Sequence, residues 1–220
     1  MRTRDVGSGR LVARPAFDPE ALAELRFPPG DELDLIGARV VGDDAAGVRG
    51  EGELRRCLLE SVNLSQSRFR PLTLIDVSLH RVELSNAQWH SVTARRVELT
   101  DARAVGLGLS LDLAADLYAA QTRFDYAGIH LERIRGQVVF SDCSFREARL
   151  GGDLSGVVFR NCDLTDAEFT ATAAKDTDLR SSRLAGARGL HSLRGAMIDV
   201  EQMVAVAGQL AAEAGLRVSD

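Results

Sequence analysis

From Leu54 to Leu99 one residue in five belongs to a single apolar column: Leu54, Leu59, Leu64, Phe69, Leu74, Leu79, Leu84, Trp89, Ala94 and Leu99. Two residues before each lies a second column, generally smaller: Gly52, Cys57, Val62, Ser67, Leu72, Val77, Val82, Ala87, Val92 and Val97. Neither column holds a charge, and between them Leu58 and Ile75 are the only large aliphatic side chains. A period of five matches neither the 3.6 of a helix nor the 2 of a flat strand. An extended segment that buries residues i−2 and i exposes i−1, and residues i+1 and i+2 must then turn a corner before the next inward pair. Repeating that unit winds the chain into a solenoid whose sides are one short strand long.

The unit also carries a sequence signature, a small residue, then Asp or Asn, then Leu or Phe. Copies are Val62-Asn63-Leu64, Ala115-Asp116-Leu117, Cys162-Asp163-Leu164, Ala167-Glu168-Phe169 and Thr177-Asp178-Leu179, with Ala148-Arg149-Leu150 a looser one. These triplets resemble the pentapeptide-repeat family. The resemblance implies an all-β solenoid, a right-handed quadrilateral β-helix. Outward charges supply an independent check on four sides, because residues twenty apart would then stack at the ~4.8 Å spacing of paired strands. Arg56, Asp76 and Arg96 alternate in sign, Arg81 falls under Asp101, and Arg149, Glu168 and Arg188 alternate again. Three sides would stack Arg81 on Arg96; Arg160 and Arg180 break the rule under four.

Counted in steps of five, Leu54 to Leu184 makes about seven coils, a column roughly 30 Å tall. The expected organisation is an N-terminal segment with a short helix (1–32), the β-helix (33–195), and a C-terminal capping helix with its tail (196–220). The first helix is placed between Ala16 and Leu25, with Asp18 as N-cap, Pro19 in the first turn, and Pro28-Pro29-Gly30 as the stop. Between Leu117 and Phe140 no single register fits, so either the side lengths change or a loop bulges out. After Leu150 the register slips back by one at Leu154, and such a slip must be absorbed at a corner. Asp199 with Gln202 is a capping-box pattern, and Met203, Ala207, Leu210 and Ala214 form a stripe with Val206 beside it. That helix is a lid on the last coil or a face for a second copy, with the lid favoured.

Signatures of catalysis are missing. Gly106-Leu107-Gly108 lacks the spacing of a dinucleotide loop, and His80, His90, His130 and His191 share no metal-ligand spacing. Cys57, Cys143 and Cys162 fall where the repeat wants a small inward side chain, so they read as core. No catalytic, metal or cofactor residue is expected. No stretch is apolar enough for a membrane span or a signal peptide, which makes a cytoplasmic protein the expectation.

The resemblance implies one further activity, mimicry of DNA by an acidic rod that binds a type II topoisomerase such as gyrase and confers drug tolerance. Charge argues against a uniformly acidic rod. The chain carries −5 overall, but residues 52–195 hold 18 acids and 19 bases, and the acidity lies in the two ends. Duplex DNA carries one negative charge per ~1.7 Å. The same neutrality excludes general nucleic-acid binding. The expected function is therefore a non-catalytic interaction module for an unidentified protein partner, with the gyrase-interacting protein as the alternative. Specific contacts are expected where the repeat breaks, at Tyr118, Phe124, Tyr126 and His130. Met203, Val206 and Leu210 form the candidate cap or homodimer face.

Overall fold

The computed structural model describes residues 3–7, 9–28 and 30–216; Pro29 of the expected helix stop and residues 217–220 of the expected tail lie outside them. The chain winds into a four-sided solenoid. Its elements are β1 (Thr3–Asp5), β2 (Leu11–Ala13), β3 (Ala23–Glu24), β4 (Glu32–Ile36), β5 (Ala38–Val41), β6 (Arg49–Glu60), β7 (Arg68–His80) and β8 (Gln88–Thr100). They continue as β9 (Gly108–Ala120), β10 (Gly128–Leu131), β11 (Ile134–Ser141), β12 (Arg149–Asp153), β13 (Val158–Arg160), β14 (Glu168–Ala173) and the helix α1 (Val200–Glu213).

One coil shows how the period of five does this. Leu64, Phe69, Leu74 and Leu79 sit at the centres of sides 1 to 4, and they are buried together with Val62, Ser67, Leu72 and Val77. The chain turns at the residue two beyond each centre. Gln66, Asp76, Arg81, Asn86, Ser91, Arg96 and Asp101 all take left-handed conformations, with φ between 50° and 57°. Sides 2 to 4 of a coil run as one bent strand such as β7, whereas side 1 pairs through single bridges, Asn63 with Glu83 and Glu83 with Arg103. β7 and β8 pair in parallel at a register of twenty, Phe69 with Trp89, Leu74 with Ala94, Leu79 with Leu99. The buried Trp89 indole donates to Ser67 Oγ one coil below at 2.9 Å, so the polar member of the small column satisfies the one indole in the core.

The segment 117–140 does not bulge out as a loop. It continues the coil with altered side lengths, in which the stacking interval rises to 21 where Leu117 meets Val138 and falls to 19 where Val139 meets Val158. The extra residue is taken up at Gly136 and the compensating slip at Gly152, both left-handed at φ 79° and 82°. Both slips are thus absorbed at corners, where a residue can be added without flipping a buried face.

The N-terminal region differs from expectation. Asp18 does cap a helix, accepting from the Glu20 amide at 3.2 Å, but it is a single 3₁₀ turn, Pro19–Ala21. Ala23 and Leu25 instead donate to the Gly37 and Arg39 carbonyls, so the paired coil begins at Ala23 rather than at residue 33. No residue of that turn is buried, and without a face to bury a short helix cannot compete with an open sheet edge. Upstream, β1 and β2 form an antiparallel hairpin, Arg4 opposite Val12, that lies on the outside of side 4.

At the other end α1 closes the tube. Asp199 accepts from the Gln202 amide and Gln202 reciprocates, the expected capping box. Gln202 is buried and its Nε2 donates to the Leu179 and Ser182 carbonyls of the last coil, groups that no further strand is there to satisfy. Glu213, one helical face along, accepts the main-chain amides of Gly189, Leu190 and His191. Burial opposes the charged form of Glu213, but these donors and the His191 ring outweigh it and hold the carboxyl below its ordinary range.

Candidate interaction surfaces

The four residues expected to meet a partner at the repeat break divide into two buried and two exposed. Phe124 is in the core, stacked flat on Phe145 with ring centroids 4.9 Å apart, so it is corrected from a contact residue to a packing one. Its position at a side centre dictates this, since it continues the column of Leu54 to Leu99 in steps of five, ahead of the slip at Gly136. Tyr118 points outward but is buried beneath the N-terminal hairpin, with the Arg4 guanidinium 4.1 Å above its ring. Tyr126 is 61% exposed. It occupies the corner between sides 1 and 2 with φ 60°, a conformation that suits Gly, Asn or Asp and is costly for a bulky side chain. The Glu147 carboxylate beside it pushes the phenol above its ordinary range. His130, also exposed, lies beyond Gly128 on side 2, 3.5 Å from the Glu132 carboxylate. The structure therefore leaves Tyr126 and His130 exposed and removes the other two from the surface.

On α1 the expected stripe is split. Val206 is buried on the coil, but Met203 is 53% exposed and Leu210 sits at the margin of exposure. The face that docks runs through Gln202, Val206 and Glu213, because the tube end presents carbonyls and amides that need polar partners. Val200, Met203 and Val204 are left outward as an apolar patch.

The outer walls are charge-compensated. Arg96 makes a bidentate contact with Asp76, at 2.5 and 2.7 Å, and Arg149 reaches Glu168 at 3.2 Å. Arg39 and Arg81 both grip Glu60, and Arg146 and Arg183 flank Asp163. Arg81 thus chooses Glu60 rather than Asp101, which faces His80 instead. The two exceptions of the ladder find other partners, Arg180 with Asp178 in its own coil and Arg160 with the Ser141 hydroxyl and the Val6 carbonyl. Asp76 is held below the usual carboxylate range: burial opposes ionisation, but Arg96 and the Ala16 amide outweigh it.

The three thiols are buried. Cys57 lies 3.1 Å from the Leu35 carbonyl, and burial pushes its pKa up. The hydrogen bond to Cys162 and burial do the same for Cys143. Neutral thiols in an apolar tube are packing groups. Among the described residues no three His, Cys, Asp or Glu side chains gather as metal ligands would.

No protein-family model and no curated protein matches the chain. Among solved structures it is similar to a trypsin-treated variant of QnrB1, a plasmid-mediated fluoroquinolone resistance protein, at 18% identity over 89% of this chain and 95% of that one, with a TM-score of 0.37. It is also similar to HetL, a pentapeptide repeat protein involved in heterocyst differentiation regulation from the cyanobacterium Nostoc sp. strain PCC 7120, at 16% identity over 76% of this chain and 86% of that one, with a TM-score of 0.28. Superpositions this loose carry no weight beside the chain's own geometry. Sides of five residues, four to a coil, stacked in parallel at intervals of about twenty around Leu and Phe centres, make this chain a four-sided parallel β-solenoid, the fold that the resemblance to pentapeptide repeats implies.

Proposed function

We propose that the chain is a non-catalytic scaffold that presents the exposed Tyr126 and His130 to a protein partner. The observation that carries this reading is Tyr126, a large amphipathic side chain left 61% exposed at a corner of the coil. Exposed tyrosine is the kind of anchor that protein interfaces use. Replacing Tyr126 by glycine relieves the corner and removes the anchor. Stability should stay within about 1 kcal/mol of the parent, while capture of the partner from the native host's lysate falls at least about tenfold. Equal capture by both proteins would reject this reading.

A gyrase-directed DNA mimic is disfavoured by the walls. On side 1 the outward column reads Asp44, Asn63, Glu83, Arg103, Arg123, Ser144, Asp163 and Arg183, which mixes signs where a phosphate ladder has one. Purified protein should accordingly leave gyrase supercoiling, and its inhibition by a quinolone, unchanged up to micromolar concentration. A change in either would replace the present reading with the gyrase one.

The outward patch of α1 is proposed as the seat of a second copy, since Val200, Met203 and Val204 have no partner within the described residues. Light scattering should show a dimer that Val204→Glu converts to monomer without loss of helical signal. A monomeric parent protein would refute this.

A further inference from the structure

Side 4 is unlike the other walls. Its outward middle column reads Leu58, Ser78, Glu98, Tyr118, Val139 and Val158, each stacked on the next at strand spacing. Such positions on a solenoid face water, yet here Val139 is fully buried and Tyr118 and Val158 nearly so. The cover is the hairpin of β1 and β2, whose Val6 and Val12 pack with Tyr118, Ala120, Val139 and Val158.

No main-chain ladder joins this hairpin to the coil among the described residues, because β1 and β2 pair only with each other. Side chains hold it. Glu98, itself 6% exposed, accepts from Arg4 at 3.2 Å and from Arg14 at 3.0 and 3.3 Å. Further along, Arg160 donates to the Val6 carbonyl at 2.9 Å and Arg10 to the Gly156 carbonyl at 3.2 Å. Below the hairpin the Ala16 amide donates to Asp76. An isolated two-stranded hairpin is at best marginal in water, and its charged contacts weaken as salt rises.

We propose that the N-terminal hairpin is a latched cover: releasing Arg4 and Arg14 from Glu98 lifts it from side 4 and bares an apolar strip along the column while the coil stays folded. One carboxylate serving two arginines from the two ends of the hairpin is the latch. The apolar strip is what it conceals. The four-sided coil does not depend on it, since β8, β9 and β11, the strands under the hairpin, find their hydrogen bonds in the coils above and below.

Hydrogen exchange on the full chain tests this. In Glu98→Gln, and separately in the double variant Arg4→Gln with Arg14→Gln, the Val6 and Val12 amides should exchange about tenfold faster or more. The amides of Ser61, Arg81 and Asp101, which donate to carbonyls of the neighbouring coil, should keep their protection, and binding of the apolar dye ANS should rise. Unchanged exchange at Val6 and Val12 in both variants would overturn the latch. Loss of coil protection together with that of the hairpin would show that the hairpin is part of the folded core rather than a cover.

Discussion

Gly152→Ala should abolish the native stack from β12 onward, at a cost of at least ~4 kcal/mol. A Cβ built at Gly152 falls 2.1 Å from the Leu131 carbonyl oxygen and 2.8 Å from its carbon, atoms of the coil below, and the residue sits at φ 82°. Backbone against backbone leaves nothing flexible to yield. This is also the corner that absorbs the register slip between β12 and β14, so the corner cannot simply be reshaped. Helical circular dichroism from α1 should disappear, and trypsin should cut at Arg160, Lys175, Arg180 and Arg183 while the coils before Leu131 resist. Gly128→Ala is the control. A Cβ there meets nothing within 4 Å and needs no left-handed backbone, so its effect should stay within about 0.5 kcal/mol. Equal stability of the two variants would show that the coils separate more easily than their hydrogen bonds suggest.

Phe145→Ala should cost about 3–5 kcal/mol, and should do so by splitting the column. Phe145 is wholly buried, stacked on Phe124 at 4.9 Å and edge-on to Phe140 and Phe159 at 5.1 and 5.7 Å. It touches each of the other three rings of the aromatic cluster of the later coils. In a solenoid each coil touches only its neighbours, so stability is close to a sum of coil terms and interface terms. Weakening one interface in the middle should therefore separate two transitions. Trp89, the single tryptophan, reports the earlier coils through fluorescence, whereas far-ultraviolet dichroism reports all of them. The two probes should coincide in the parent protein and diverge in Phe145→Ala. Coincident transitions in the variant would mean that the column unfolds as one unit despite the gap.

Legibility in the sequence followed the range of the interaction. The columns from Leu54 to Leu99 were readable because burial at i−2 and i depends only on how an extended five-residue side is built. The sign alternation of Asp76 and Arg96 was readable because a fixed coil length makes distant residues neighbours. Where the coil length changes by one, at Gly136 and Gly152, the same logic lost its phase; Phe124 precedes both slips and still falls on the column counted in fives from Leu54, so its burial was legible. The capping helix was legible as a helix from Asp199 and Gln202. Its docking face was not, since Gln202 faces inward to answer two carbonyls of the last coil, a demand that exists only once the tube has an end. The hairpin left one trace that could have been followed: with twenty-residue stacking in hand, Leu58, Tyr118 and Val158 fall in one outward apolar column that something must cover.

By itself the sequence determined the solenoid, its four sides and its inward columns, because these follow from a local period and from charges repeated at one interval. Only the tertiary structure decided what the outer walls carry. Val6 and Val12 reach Val139 and Val158 across more than a hundred residues of chain, and Arg4 and Arg14 reach Glu98. No period encodes such pairings, since they depend on where the whole stack places its corners.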